Sequence, residues 1–191
     1  DSLVTGITYY SKEAGPGCLF ACKGAAFQKR YLDEAIERGA ACVLAQTEYE
    51  LPPQTALLLV SDVRKAMAFV AGLFYNHAHE KLTLIGITGT KGKSTTAYYI
   101  KYMLDEYLQS IGEKPCAILS SIDIYDGKVM QEAHLTTPEA FELHEHFSHA
   151  VESGIRYFVM EVSSQALKYD RVLGVPFDIG VFLNISEDHI S

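Results

Sequence analysis

Basic residues are in deficit in this 191-residue chain: 16 lysines and arginines stand against 24 aspartates and glutamates, for a formal net charge of −8. Such a balance argues against a general nucleic-acid binder, whose surface carries a basic face. Cysteine is sparse too. Cys18, Cys22, Cys42 and Cys116 contain no CxxC pair, and no second pair follows at zinc-site spacing, so the four read as buried, reduced thiols. No apolar run approaches the roughly 18 residues of a membrane span. Residues 1–10 lack a basic segment followed by an apolar one, which reads as the absence of a signal peptide. These absences lead to the expectation of a soluble cytoplasmic protein with neither membrane nor nucleic-acid partners; a monomer is expected, though nothing in the residues fixes the oligomeric state. Internal repeats and low-complexity tracts are missing as well. Hydrophobic residues are plentiful at 48%, enough for a packed core and against wholesale disorder. An acidic chain that binds an anion must gather positive charge locally, and Lys91 with Lys93 is such a place.

Residues 1–80 read as a small α/β unit. Gly15-Pro16-Gly17 marks a turn, and strands are predicted at 19–22, 41–45 and 56–60. Leu32, Ala35 and Ile36 have helical spacing over 31–38, and Gly39 is a suitable residue to end that helix. Asp62 can cap a second helix reaching about residue 75. The polar stretch 76–81 reads as a domain boundary. From residue 82 the units lengthen, with strands at 82–88, 116–120, 156–162 and 179–183 and helices at 94–108 and 138–152, the latter with Pro138 at an early position. Strands alternating with long helices imply a mostly parallel sheet covered on both faces. Ligands sit at the carboxyl ends of such strands. Residues 89–92, 161–164 and 184–189 fall there.

The first of these segments carries the strongest chemistry. Thr88-Gly89-Thr90-Lys91-Gly92-Lys93-Ser94-Thr95 lies between an apolar strand and a helix. Glycines let backbone N–H groups converge on phosphate oxygens, and the unpaired amides at a helix start favour an anion. Lys93 offers a full charge to the β/γ-phosphates, and the hydroxyl of Ser94 or Thr95 can ligate Mg²⁺. The spacing is shorter than the usual G-x-x-x-x-G-K-[ST] string, since the position five before Gly92 is Ile87. The strand–loop–helix context outweighs an ordinary turn. The predicted ATP contacts are Gly89, Thr90, Lys91, Gly92, Lys93, Ser94 and Thr95.

The string T-G-T-x-G-K-[ST]-[ST] resembles the ATP loop of the Mur ligases, which join amino acids to peptidoglycan precursors. Further segments are similar to the branch that adds a diamino acid as the third peptide residue: Leu135-Thr136-Thr137-Pro138-Glu139, Met160-Glu161-Val162-Ser163-Ser164-Gln165-Ala166-Leu167 with Arg171-Val172, and Phe182-Leu183-Asn184-Ile185-Ser186-Glu187-Asp188-His189. Thr5-Gly6-Ile7, Ser11, Gly17, Leu19-Phe20-Ala21 and Arg30-Tyr31 resemble the uridine-binding front domain of that branch. Gln165 departs from a usual histidine, and Tyr169 from a polar residue at the substrate. The resemblance implies two α/β domains: 1–80 for the uridine end of the substrate, and 81–191 as an incomplete P-loop-type ATP domain, with a C-terminal domain absent. It also implies ATP-dependent amide ligation through an acyl phosphate, with Mg²⁺. The acceptor would be UDP-N-acetylmuramoyl-L-alanyl-D-glutamate, and the donor lysine or diaminopimelate. The 191 residues by themselves are expected not to ligate. A folylpolyglutamate-synthetase-like ligase and a non-catalytic nucleotide-binding regulator are the rival readings; neither needs a UDP-sugar site.

Glu161 ends an apolar strand, where an unpaired carboxylate is costly to bury, so it reads as a Mg²⁺ ligand and catalytic residue beside Lys93, with a structural ion pair as the alternative. The resemblance adds His189 to both roles, and Ser94 to the metal site. It also assigns Ser11, Thr136, Thr137, Ser163, Tyr169 and Arg171 to substrate. Arg171 suits a carboxylate because its planar fork bonds both oxygens. Thr136 and Thr137, just before Pro138, can also cap the next helix. His144, Glu145, His146 and His149 do not make the zinc-protease string, since Ser148 stands where its second histidine is required. They read as a solvated helix face.

Overall fold

A computed structural model describes residues 4–186 of the chain. The chain divides into two compact units, the first ending at Ala71 and the second beginning at Gly72. The division falls inside a helix and not in the polar stretch 76–81. That stretch forms a 3-10 turn, Ala78–Lys81, with Ala78 and His79 buried.

The first unit carries four parallel strands, β1 (Ile7–Thr8), β2 (Leu19–Ala21), β3 (Cys42–Ala45) and β4 (Ala56–Leu59), in the order β1-β2-β3-β4. Strands β2 and β3 are buried throughout, which explains their continuous apolar sequence. Helix α1 (Lys29–Glu37) lays Leu32 and Ala35 against Phe20 and Val43. It stops at Gly39, which has a φ of +100°; a Cβ there would sit 3.0 Å from the Pro16 Cα, so the turn has no room for a side chain. Helix α2 (Val63–Phe74) follows; the Asp62 carboxylate accepts from Arg64 N and Lys65 N at its start. All four cysteines are free thiols. Burial pushes those of Cys22 and Cys116 up to about 12.

The second unit runs β5 (Thr83–Thr88), α3 (Lys93–Ser110), β6 (Ala117–Leu119), β7 (Asp123–Tyr125), β8 (Met130–Glu132), α4 (Ala140–Glu152), β9 (Tyr157–Glu161), α5 (Ser164–Lys168) and β10 (Ile179–Phe182). Its sheet has the order β10-β5-β9-β6-β7-β8. The first four strands are parallel; β7 and β8 form an antiparallel hairpin on the β6 side that the residue pattern did not announce. Alternation along the strands splits the core in two. Leu84, Leu119, Phe158 and Met160 meet Leu143, Phe147 and Ala150 of α4 on one face. Ile85, Ile87, Ile118 and Val159 meet Ala97 and Leu108 of α3 on the other.

Two sequence expectations change in this unit. Helix α4 is capped by Glu139, which with Glu142 makes a reciprocal capping box, so neither Thr136 nor Thr137 is the cap and Pro138 lies before the helix. The face bearing His144, His146 and His149 is not solvated: His144 and His146 are buried and His149 is half-buried. The neighbouring hairpin and the 3-10 turn supply partners for that face.

Candidate functional site

Strands β5, β9 and β10 end side by side, with Ile87 opposite Glu161 and Thr88 opposite Phe182. The glycine loop leaves β5 at this edge. Gly92, at φ +86°, is the N-cap of α3, and no side chain caps that helix among the described residues. Its first-turn amides therefore suit an anionic ligand. Gly89 has φ +147°, and a Cβ there would meet the Leu183 Cβ at 3.0 Å and the Asn184 N at 3.2 Å. The Lys93 ammonium donates to Gly89 O at 2.7 Å and to Thr90 O at 3.4 Å. It is thus folded over the loop from which a phosphate would draw it.

Asn184, after β10, holds the loop in shape. Its side chain accepts from Lys91 N and donates to Lys91 O, both at 3.0 Å, and its carbonyl accepts from Thr90 N at 3.1 Å. The Thr90 hydroxyl accepts from Ser186 N at 3.0 Å.

Glu161 is almost fully buried at the end of β9. Its Oε1 accepts from Ser121 N at 2.8 Å, while the Ser121 hydroxyl lies 2.9 Å from that of Ser94 in the first turn of α3. The buried Ser120 hydroxyl shapes the turn that presents this amide, accepting from Ile122 N and Asp123 N at 3.0 Å each. Burial of the carboxylate is thereby partly compensated. A carboxylate and a serine hydroxyl are oxygen donors of the kind Mg²⁺ takes, so Glu161 and Ser94 fit that ion. The third expected ligand, His189, lies outside the described residues.

A cleft of about 460 Å³ opens beside the loop, lined by Thr88, Gly89, Thr90 and Lys93, by Leu135, Thr136 and Thr137, by Ser163, Ser164, Gln165, Leu167 and Arg171, and by Phe182 and Ile185. It joins the loop to Thr136, Thr137, Ser163 and Arg171. Lys91, Gly92, Ser94, Thr95 and Tyr169 do not line it. Tyr169 ends α5, with the Lys168 ammonium 5.6 Å from its ring centroid. Ser11 belongs to the first unit, where its buried hydroxyl donates to Glu34 Oε2 at 2.6 Å and holds that carboxyl below its usual range.

Several of the cleft's polar groups are already engaged. Thr137 is buried, its hydroxyl donating to Glu161 O at 2.9 Å and accepting from Ser163 N at 3.1 Å. The Ser163 hydroxyl caps α5 by accepting from Ala166 N. Arg171 donates to Thr137 O at 2.9 Å and pairs with Glu139 at 2.9 Å. Its fork therefore meets a carboxylate of the chain itself, a partner that reading Arg171 alone did not supply. Sequence reasoning also missed Ser121, although a serine at the carboxyl end of β6 satisfied the same positional rule that singled out Glu161. Asn184 stood inside one of the family-like segments but had no assigned role.

A glycine loop opening a helix at the carboxyl edge of a mostly parallel sheet is an arrangement that suits an anion such as phosphate, in an α/β domain. The Mur ligase middle domain profile matches residues 87–191, and the chain belongs to the Mur ligase family. It is 43% identical to a UDP-N-acetylmuramyl-tripeptide synthetase of Bifidobacterium longum, over all of this chain and 36% of that protein. It is likewise 43% identical to a UDP-N-acetylmuramoyl-L-alanyl-D-glutamate–L-lysine ligase of Enterococcus faecalis, over 98% of this chain and 36% of that one. The chain thus spans little more than a third of these curated relatives. Among solved structures, a UDP-N-acetylmuramoyl-L-alanyl-D-glutamate–2,6-diaminopimelate ligase superposes over 97% of this chain and 37% of its own, with a TM-score of 0.75 at 22% identity. A MurF ligase of Thermotoga maritima in complex with ADP covers 100% of this chain and 40% of its own, with a TM-score of 0.60 at 23% identity. These two likenesses concern the fold.

Proposed function

We propose that this chain carries the ATP loop and acceptor-binding surface of a ligase that adds a diamino acid to UDP-N-acetylmuramoyl-L-alanyl-D-glutamate. The observation that carries this reading is the shared cleft: Lys93 and the glycine loop line one part, Thr136, Ser163 and Arg171 another. A carboxylate held by the second group can approach a phosphate held by the first. The names of the Bifidobacterium and Enterococcus relatives support the substrate, and the latter favours lysine as donor.

In this reading the loop amides and Lys93 hold the phosphates. Glu161 and Ser94, with His189, would hold Mg²⁺, and Thr95 belongs to the loop's ATP contacts. The ion supplies positive charge against the charge that develops on the transferred phosphoryl group. A carboxylate oxygen of the acceptor bonds to the γ-phosphorus as the bridging bond to ADP breaks. The incoming amine then bonds to the acyl carbon, phosphate leaves, and the nitrogen gives up a proton to solvent. The cleft positions the first pair of reactants, and positioning is a large part of such a rate. The first unit, with Ser11, takes the uridine end, and the protein works as a cytoplasmic monomer.

Titration calorimetry with UDP-N-acetylmuramoyl-L-alanyl-D-glutamate, with and without ATP, is the test. Binding of both ligands is expected. ATP binding with no heat from the UDP-sugar peptide would favour a folylpolyglutamate-type ligase or a nucleotide-binding regulator and overturn this reading.

A further inference from the structure

The most organised polar cluster outside the cleft joins the turn of the β7–β8 hairpin to α4. Asp126 is fully buried there, and its Oδ2 lies 2.7 Å from His146 Nδ1 and 2.8 Å from His149 Nδ1. The three donor atoms lie within 4.8 Å of one another. We propose that Asp126, His146 and His149 bind a divalent transition metal of the zinc class, which clasps the hairpin to α4.

The donor set favours this class of ion. Two imidazole nitrogens and one carboxylate oxygen suit zinc, whereas Mg²⁺ and Ca²⁺ take oxygen shells. The donors are also aimed before any ion arrives. Asp126 Oδ1 accepts from Lys128 N at 2.9 Å and Val129 N at 2.7 Å, which turns Oδ2 toward the helix. Gly127, at φ +92°, lets the turn sit against the end of α4, since a Cβ there would meet the Ser153 Cβ at 2.4 Å. His146 and His149, three residues apart, share one face of that helix.

Ligation requires each imidazole to give up its Nδ1 proton, either to its own Nε2 or to solvent. The carboxylate oxygen then moves from 2.7 and 2.8 Å to about 3.3 Å from the two nitrogens, as tetrahedral ligands at about 2.0–2.1 Å require. His149, half-buried, can take up that shift and leave the fourth position to water. The chain between Asp126 and His146 includes Leu135, Thr136 and Thr137 of the cleft wall. An ion closing this segment would therefore stiffen that wall.

The test is calorimetric titration of the metal-free protein with zinc chloride, beside cobalt absorption spectra and melting curves. One zinc is expected to bind tighter than about 1 µM and to raise the melting temperature by about 5 °C. Cobalt should give d–d bands without a thiolate charge-transfer band. His149→Asn keeps an N–H near the Nδ1 position for Asp126 but should lose at least about tenfold in zinc affinity. His77→Ala, in the separate group of His77, His79 and Glu80, should leave affinity unchanged. Absence of zinc binding overturns the proposal. So does binding untouched by His149→Asn, or binding lost in His77→Ala.

Discussion

Lys93 spends its charge on two carbonyls of its own loop. Those bonds exchange readily for phosphate oxygens, so Lys93→Ala should cost about tenfold to a hundredfold in ATP affinity while the melting temperature stays nearly constant. Calorimetry with ATP checks it; undiminished affinity would remove the loop assignment. His144 poses the opposite case. It is buried, its two ring nitrogens lack partners among the described residues, and its ring lies 4.9 Å from that of His79. His144→Leu should be neutral or stabilising by about 1 kcal/mol at pH 7.5, because it removes two unsatisfied polar atoms from an apolar setting. Urea unfolding measures this, and a loss above about 2 kcal/mol would mean the imidazole has a partner after all. Lys93 stands out in the sequence because its spacing to the glycines is local. The burial of His144 was not, because what covers α4 comes from segments far away in sequence.

At the level of elements, Arg171 ties the segment after α5 to the start of α4 through Glu139, with both side chains about nine-tenths buried. Arg171→Met removes the Arg171 cation from the buried Glu139 carboxylate and should destabilise by about 3 kcal/mol. A double-mutant cycle with Glu139→Gln distinguishes the pair from a packing effect: the double variant should be less destabilised than the sum of the singles. Additive losses would show that the pair contributes no coupling. Most long elements of the second unit were readable, because β5, β9 and α3 have apolar runs or helical spacing bounded by glycine, proline or polar residues. The hairpin β7–β8 was not. Its strands are three residues each, β8 is exposed, and its place on the sheet depends on pairing Ile118 with Tyr125 and not on any local pattern.

For the whole molecule, buried His144 and Asp126 contribute to how stability responds to acid, beside His79, whose imidazole is also lowered by burial. Burial drives the His144 imidazole down to about 3, against about 6.5 in an unfolded chain. The unfolded chain therefore takes a proton that the folded one refuses, and stability falls as pH drops from about 6.5 toward 3. Burial pushes the Asp126 carboxyl upward, but hydrogen bonds from His146, Val129, Lys128 and His149 outweigh it and hold the group well below the carboxylate range. Its contribution is present above about pH 4 and is lost below that. Urea unfolding should lose about 2 kcal/mol from His144 between pH 7 and pH 5, and His144→Leu should flatten that part of the curve. An unchanged slope in the variant would assign the acid sensitivity elsewhere. The 191 residues alone determined the alternation of the long strands and helices, the glycine loop and the sheet edge at which that loop emerges, since each depends on short-range spacing and on where strands end. Only the tertiary structure decided that Arg171 meets Glu139, that Ser121 meets Glu161, and that Asp126 meets two histidines of α4. Those contacts join residues 20 to 40 positions apart, and their partners follow from strand order and packing, which no local pattern encodes.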